Sequence, residues 1–526
     1  MNGNQLVAGT DQGLSFITLD QDKRNIQTFT TKNGLPDNIV SCISASQAKN
    51  TVWIGTQSKG ILLFNIQDKM VTGAGVKNAG WHYGQVNDII EVNRIAFIAT
   101  EQNSIVSYDQ KSNTVNENIL ADSLFPKRIA DLQIDNEGNI WAAAENKIIS
   151  FTGNYLTYWH KAGGVNLIKV HAVLADDEHK LWFTPDLRLF EGTQDNLCNG
   201  YLHSYDLTPP RDHIDITSLY KDRFGFLWIG TMGEGLFRMN LVTGSWRRIA
   251  ENPIAYFGNI LSIAGKDDQV WISTLNGVSK FDLTETNYEL NTKIAFTNYS
   301  KKDGLGSDYI YHILIDKKNR VWFATDGAGV AVFQNNVFTN FYLNGLFPAS
   351  VAYSLAEDKD QNIWISTYNE GLFKYDQKKF IQHSIKNGLT DLAITSIAVD
   401  EFNNVVAINK KGIDLLNPAK NTVQHFGSES GFLELQPNLN SISKGPDGRI
   451  WIGTDNGIVC LYSSSAAVAY RPVAVIEYVN LFNTPIDTSG RKIFSYDQNN
   501  FSFKLAAAYY KAPEKIKFQY WLDPYR

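Results

Sequence analysis

At about 100 to 200 residues per domain, a chain of 526 residues has room for three or four domains of ordinary size, and a single small domain is excluded. Hydrophobic residues make up 43% and charged residues 19%, so a disordered composition is excluded as well. With 48 Lys plus Arg against 54 Asp plus Glu, the formal charge of −6 offers no field for a phosphate backbone, and no nucleic-acid contact is expected of this region.

Aromatics at 12%, 39 Gly and only 4 Met favour strands and tight turns over helices. The chain opens on Leu6-Val7-Ala8-Gly9-Thr10, which reads as the middle of a repeat with no inner strand before it. A unit then recurs: Val52-Trp53-Ile54-Gly55-Thr56 with Gly60-Ile61, Trp228-Ile229-Gly230-Thr231, Trp271-Ile272-Ser273-Thr274, Trp322-Phe323-Ala324-Thr325, Trp364-Ile365-Ser366-Thr367 and Trp451-Ile452-Gly453-Thr454. Val7, Phe97, Trp141, Trp182 and Val406 mark weaker copies, making eleven anchors spaced 41 to 51 residues apart. A period of that length, filled with strand patterns, is the signature of propeller blades. Within one period, Ala352 to Ala356 reads as the inner strand, Asn362 to Thr367 as the second, Leu372 to Tyr375 as the third and Phe380 to Ser384 as the outer one. The next blade is reached through Asn387-Gly388-Leu389, a loop repeated at Asn33-Gly34-Leu35, Asp303-Gly304-Leu305 and Asn344-Gly345-Leu346, whose Gly supplies positive φ. Each Trp reads as a large side chain packed between adjacent sheets.

Propellers close with about four to eight blades, so eleven do not form one ring. The expected fold is all-β: residues 1–165 a partial propeller of four blades, 166–466 a complete seven-bladed propeller, and 467–526 the start of a β-sandwich. In that last part Val475 to Phe482, Lys492 to Tyr496, Phe501 to Leu505 and Lys517 to Leu522 read as strands. Both ends read as cut short. Cys42, Cys198 and Cys460 cannot form a closed disulfide framework. The start has no signal-peptide pattern, and no stretch approaches about 18 continuous apolar residues.

These repeats resemble the extracytoplasmic sensor region of the hybrid two-component systems that regulate glycan-utilisation genes in gut Bacteroidetes. Trp-Ile-Gly-Thr followed by Gly-Leu, after a turn such as Asp135-Asn136-Glu137-Gly138-Asn139-Ile140, is similar to that family's propeller repeat. Phe501-Ser502-Phe503, Ala507-Ala508-Tyr509, Ala512-Pro513-Glu514 and Phe518-Gln519-Tyr520-Trp521-Leu522 resemble its triple-tyrosine domain. The resemblance implies two seven-bladed propellers, an immunoglobulin-like sandwich, a membrane helix, then a kinase and output domains. It further implies a periplasmic location, a homodimer in the full-length receptor, and contact with the membrane only through the downstream helix. This chain departs from the family in having eleven blades and nothing after Arg526.

Catalytic and metal patterns are missing: no His-x-x-x-His, no Cys-x-x-Cys, no Gly-x-Ser-x-Gly and no phosphate-binding loop. Asp358-Lys359-Asp360-Gln361-Asn362 opens like a calcium loop, but Ile363 and Asn369 stand where Gly and Glu are required, so it reads as a hairpin turn. Neither cofactor nor metal is called for. His203 to Asp206 and Arg211 to Asp215 concentrate polar groups, readable as a ligand-binding insert or as a solvated hairpin around Pro209-Pro210. Blade geometry places the loops between second and third strands, and those between blades, on one face. The candidate ligand-binding residues there are Arg211, His213, Glu234, Tyr256, Phe257, Tyr309, Tyr368, Glu370 and Asp455, with Trp81, His82 and Tyr83 on the first arc. Aromatics mixed with charges suit an oligosaccharide, which offers apolar ring faces and hydroxyl edges together. The favoured function is therefore ligand sensing that biases a membrane-bound kinase; a propeller lyase or glycoside-acting enzyme and a protein-binding scaffold are the alternatives.

Overall fold

The computed structural model describes residues 5–20, 23–73, 81–92, 95–110, 114–116, 127–135, 139–152, 156–194, 197, 202–207, 214–249, 258–283, 294–427, 436–461, 473–487, 493–507 and 516–518. Every sheet is antiparallel and the fold is all-β. Among the described residues, no helix is long and apolar enough to cross a membrane. The short 3-10 turns at Thr31–Asn33, Lys301–Asp303 and Ile385–Asn387 are the loops expected between blades. Gly34, Gly304 and Gly388 end them at φ near +100°, where a side chain would be strained, and Leu35, Leu305 and Leu389 then drop into the core.

Residues 5–152 form four sheets. Gln5–Thr10, Gly13–Asp20 and Lys23–Phe29 make a three-stranded one, two four-stranded sheets follow, and Ile129–Ile134, Asn139–Ala144 and Ile148–Thr152 make another of three strands. From residue 156 to 461 there are seven four-stranded sheets. Their inner strands are Val173–Ala175, Asp215–Lys221, Ile260–Lys266, Ile310–Ile315, Ala352–Glu357, Ile394–Val399 and Pro437–Lys444. Each packs against the next, and the seventh packs against the first, so the seven sheets close on themselves.

Closure corrects the expected division at 165/166. The outer strand of the seventh sheet is Leu156–Trp159, paired antiparallel with Gly457–Leu461 and drawn from ahead of the first blade. This pairing ties the two ends of the ring by main-chain hydrogen bonds, reinforced by those from Lys169 N to Asp455 O and from Val170 N to Thr454 O. Trp159 stacks on Trp451 with centroids 5.4 Å apart. Tyr205, Tyr299, Phe341 and His383 hold the corresponding place against Trp182, Trp271, Trp322 and Trp364.

The repeated Trp side chains, Trp141 apart, are fully buried between sheets, and most are also tied by their ring nitrogen. Trp182, Trp228, Trp322 and Trp364 each donate Nε1 to the Asp six residues earlier, at 2.8 to 3.0 Å. Asp358 also takes both nitrogens of Asn362 at 2.8 Å, so the calcium-like segment is a closed turn. In the C-terminal part, Val475–Leu481 lies between Thr484–Ile486 and Phe501–Ala506. The strand expected over 492–496 is not formed by the described residues 493–496, where Ile493 and Tyr496 are each 94% exposed and so pair with no sheet face.

Candidate functional site

Each inner strand except the first carries a β-bulge at one repeat position. Bulges re-aim a side chain, and are common beside functional sites. Eleven residues ahead of Trp182, Trp228, Trp322, Trp364 and Trp451 stand His171, Thr217, Tyr311, Tyr353 and Asn440, one position on five blades of the ring.

The default use of this position is to latch blades together. Ser41 Oγ donates to Val86 O at 2.6 Å, and Asn87 Nδ2 to Ile129 O at 2.8 Å. Thr217 Oγ1 donates likewise to Ile260 O. In every case the acceptor is the carbonyl just ahead of the next blade's bulge residue. Tyr311 and Tyr353 abandon the latch. Their rings meet edge to face at 5.1 Å, and Tyr353 meets Tyr368 in the same way at 6.0 Å. Tyr311 donates its hydroxyl to Asp326 Oδ2 at 3.1 Å. Burial and the Asp326 charge push the Tyr311 phenol up to about 12, so it stays a donor at neutral pH. Ser307 Oγ donates to Asp326 O at 2.6 Å and Asp326 N donates to Tyr309 O at 3.0 Å, which fixes the loop carrying the carboxylate.

Asn440 abandons the latch too, in favour of a reach across the ring. Its bulge on the seventh blade is longer than the others, between Pro437 and Ile442, and its φ of +57° is one that Asn tolerates. Nδ2 donates to Tyr311 O at 3.0 Å and Tyr353 O at 3.1 Å, joining the seventh blade to the fourth and fifth. Asn438 and Ser441, flanking it, take over the latch to Val170 O of the first blade at 3.0 and 3.1 Å. At the same repeat position in the first blade, His171 Nδ1 lies 2.7 Å from Asp215 Oδ1. That contact raises the imidazole above its ordinary range, with Asp455 adding to the effect.

Of the residues expected to bind ligand, Tyr368 joins this group directly and Tyr309 through its backbone. Both are more than half or half exposed, at 57% and 50%. Asp455 lies on the His171 side, its carbonyl accepting from Lys169 N. Glu234 pairs with Arg248 of the outer strand Trp246–Ile249 at 3.4 Å, and Glu370 has its carbonyl held by Gln382 of the outer strand Phe380–His383. Both therefore lean to the rim. Arg211, His213, Tyr256 and Phe257 lie outside the described residues. On the first arc the expectation is corrected: Tyr83 is 6% exposed within a core cluster, and Trp81 packs over Gly60 and donates to Gly84 O at 2.6 Å. Only His82 of those three is exposed. Among the described residues, no group of three or more His, Cys, Asp or Glu is placed to hold a metal.

Tyr311, Tyr353, Asn440 and Asp326 were not among the expected site residues. The repeat spacing carries part of the signal: eleven residues ahead of Trp322, Trp364 and Trp451 stand Tyr311, Tyr353 and Asn440, where the Trp228 and Val406 blades have Thr217 and Thr395.

A family model described as the two component regulator propeller matches residues 211–233, 304–327 and 346–369. Two of the three matched segments hold Tyr309, Tyr311, Asp326, Tyr353 and Tyr368, so the site is built on regulator-propeller blades. This chain is similar to the extracellular domain of a putative hybrid two component system from B. thetaiotaomicron, at 21% identity and a TM-score of 0.58, covering 97% of this chain and 69% of that one. It is also similar to the extracellular domain of a second putative hybrid system of that organism, at 18% identity and a TM-score of 0.50, covering 96% and 77%. These likenesses show the fold. No curated protein matches the sequence.

Proposed function

We propose that this chain is the periplasmic ligand-sensing region of a membrane-anchored hybrid two-component sensor, that the mouth of the seven-sheet ring is its ligand site, and that an oligosaccharide is the ligand. The observation that carries the reading is the exchange at the bulge position. Where the second blade latches to the third through Thr217, blades four, five and seven carry Tyr311, Tyr353 and Asn440. Local rules are broken at functional sites and compensated elsewhere, as Asn438 and Ser441 do here. The regulator-propeller repeats and the extracellular sensor domains of the same fold support the sensory role. Such a region acts by binding, with signalling left to a kinase beyond the sandwich and to a homodimer of the receptor.

The test is calorimetry with a panel of oligosaccharides. Tyr353→Ala and Tyr368→Ala should each weaken the binding of a panel member by about 1 to 3 kcal/mol, the range for losing an aromatic platform, with the melting of the ring unchanged. Unchanged affinity in both variants would move the site off this mouth. Release of product from a bound glycan would overturn the sensor reading in favour of an enzyme.

A further inference from the structure

Accepting the mouth as the ligand site, we infer that the group it recognises is an amine, and that the preferred ligand is a glycan bearing free amino groups rather than a neutral or acidic one. Three tyrosine rings meet at near-perpendicular angles, 77° for Tyr311 and Tyr353 and 85° for Tyr353 and Tyr368. Rings set at right angles turn more than one π-face toward a common corner, the arrangement that attracts an ammonium group.

Asp326 supplies the counter-charge. It lies on the loop right after Thr325, half-buried, and no Lys, Arg or His among the described residues pairs with it. Its neutral partner Tyr311 occupies one carboxylate oxygen and leaves the other available. A carboxylate fixed beside aromatic rings accepts a charge-assisted hydrogen bond from an ammonium and repels a uronate or sulfate. The corner is also pre-organised, since Asn440 holds the Tyr311 and Tyr353 backbones on one amide nitrogen.

The experiment titrates the full chain with three probes: a glucosamine disaccharide with free amines, the same disaccharide N-acetylated, and a disaccharide containing glucuronate. The amine form should bind at least tenfold tighter than the acetylated form, and the uronate form should bind weakest. Asp326→Asn keeps an acceptor for Tyr311 and should abolish the preference for the amine, bringing the affinities of the amine and acetylated forms within about threefold of each other. Equal affinity for the first two probes, no binding of the amine form, or a preference that survives Asp326→Asn would overturn the inference. Tyr353→Ala separates this from failure of the site itself. If it weakens the acetylated disaccharide while no amine preference exists, the mouth binds glycan and only the charge argument falls. If the amine form binds and Tyr353→Ala changes nothing, the mouth is not the site.

Discussion

The four sheets of residues 5–152 and the seven of residues 156–461 are built from one repeat, yet they spend its bulge residue differently. In the first region Ser41 and Asn87 both latch onto the following blade. In the ring, His171, Tyr311, Tyr353 and Asn440 point that position at other partners. The ring tolerates the loss because closure supplies a substitute: the strand Leu156–Trp159 ties the seventh sheet to chain that precedes the first. The other region gives up something for this. Its last sheet has three strands, because the chain leaves after Ile148–Thr152 to close the ring, and Trp141 is left half-buried where its ring counterparts are fully buried.

The sharpest way to break this comparison is to open the ring. Trp159→Ala removes a buried aromatic from the closing strand and its stacking on Trp451, a loss of about 3 to 5 kcal/mol for a change of this kind. Calorimetric melting should show the ring's transition falling sharply while that of residues 5–152 stays in place. A shift shared by both transitions would mean that the two regions melt as one body.

A smaller effect compares one motif in two settings. Asp358 and Asp135 make the same three bonds, to the backbone and side-chain nitrogens of an Asn four residues on and to the Nε1 of a Trp six residues on, at 2.8 to 2.9 Å in both. Asp358 is 1% exposed, whereas Asp135 is only half-buried. Stranding buried donors costs about 1 to 3 kcal/mol, and water recovers part of that loss where it has access. Asp358→Ala should therefore destabilise by about 2 kcal/mol more than the effect of a surface change, and Asp135→Ala by clearly less. Equal chemical-denaturation shifts for the two variants would show that the sheet count does not set the solvent access.

The anchors Trp53 through Trp451 make the blade count legible, because a buried Trp followed by Thr recurs at nearly constant spacing. The closing strand is hidden from that reading. Tyr158-Trp159-His160 lies before the first ring blade, and only the hydrogen bonds to Gly457–Leu461 reveal where it belongs. The face of the site is legible too, since Tyr309 and Tyr368 stand in variable loops. Asn440 is not, since its role depends on a long bulge that carries one side chain across the ring to carbonyls 129 and 87 residues away in sequence. Nothing local encodes such a contact. Trp81 and Tyr83 mislead for the opposite reason: aromatic rings in a loop look like a binding surface until Trp81 packs over Gly60 and Tyr83 joins a core cluster.

The last effects are the ones that acid and base separate in the ring. One residue after the bulge, Ser218, Ser262, Ser354 and Ser396 each accept a backbone N–H from the next inner strand. His312 holds that place in the fourth blade, its Nδ1 accepting from Leu355 N at 3.1 Å. Burial pushes this imidazole down to about 4 from its ordinary 6.5. The unfolded chain therefore takes up a proton before the ring does. Stability falls as pH drops from 6.5 to about 4 and levels off below. His312→Ser restores the repeat's own acceptor and should flatten that acid slope. His171 has the opposite sign. Asp215, with help from Asp455 and against Lys169, raises its pKa, so its stabilisation is complete below 6.5 and is lost as pH rises through the elevated value. Asp215 is 38% exposed at its side chain, so the pair contributes within about 1 kcal/mol. Asp215→Asn should lower the ring's melting temperature slightly at pH 6 and leave it unchanged at pH 9. A loss of equal size at both values would show that Asp215 acts through packing, with the His171 charge playing no part.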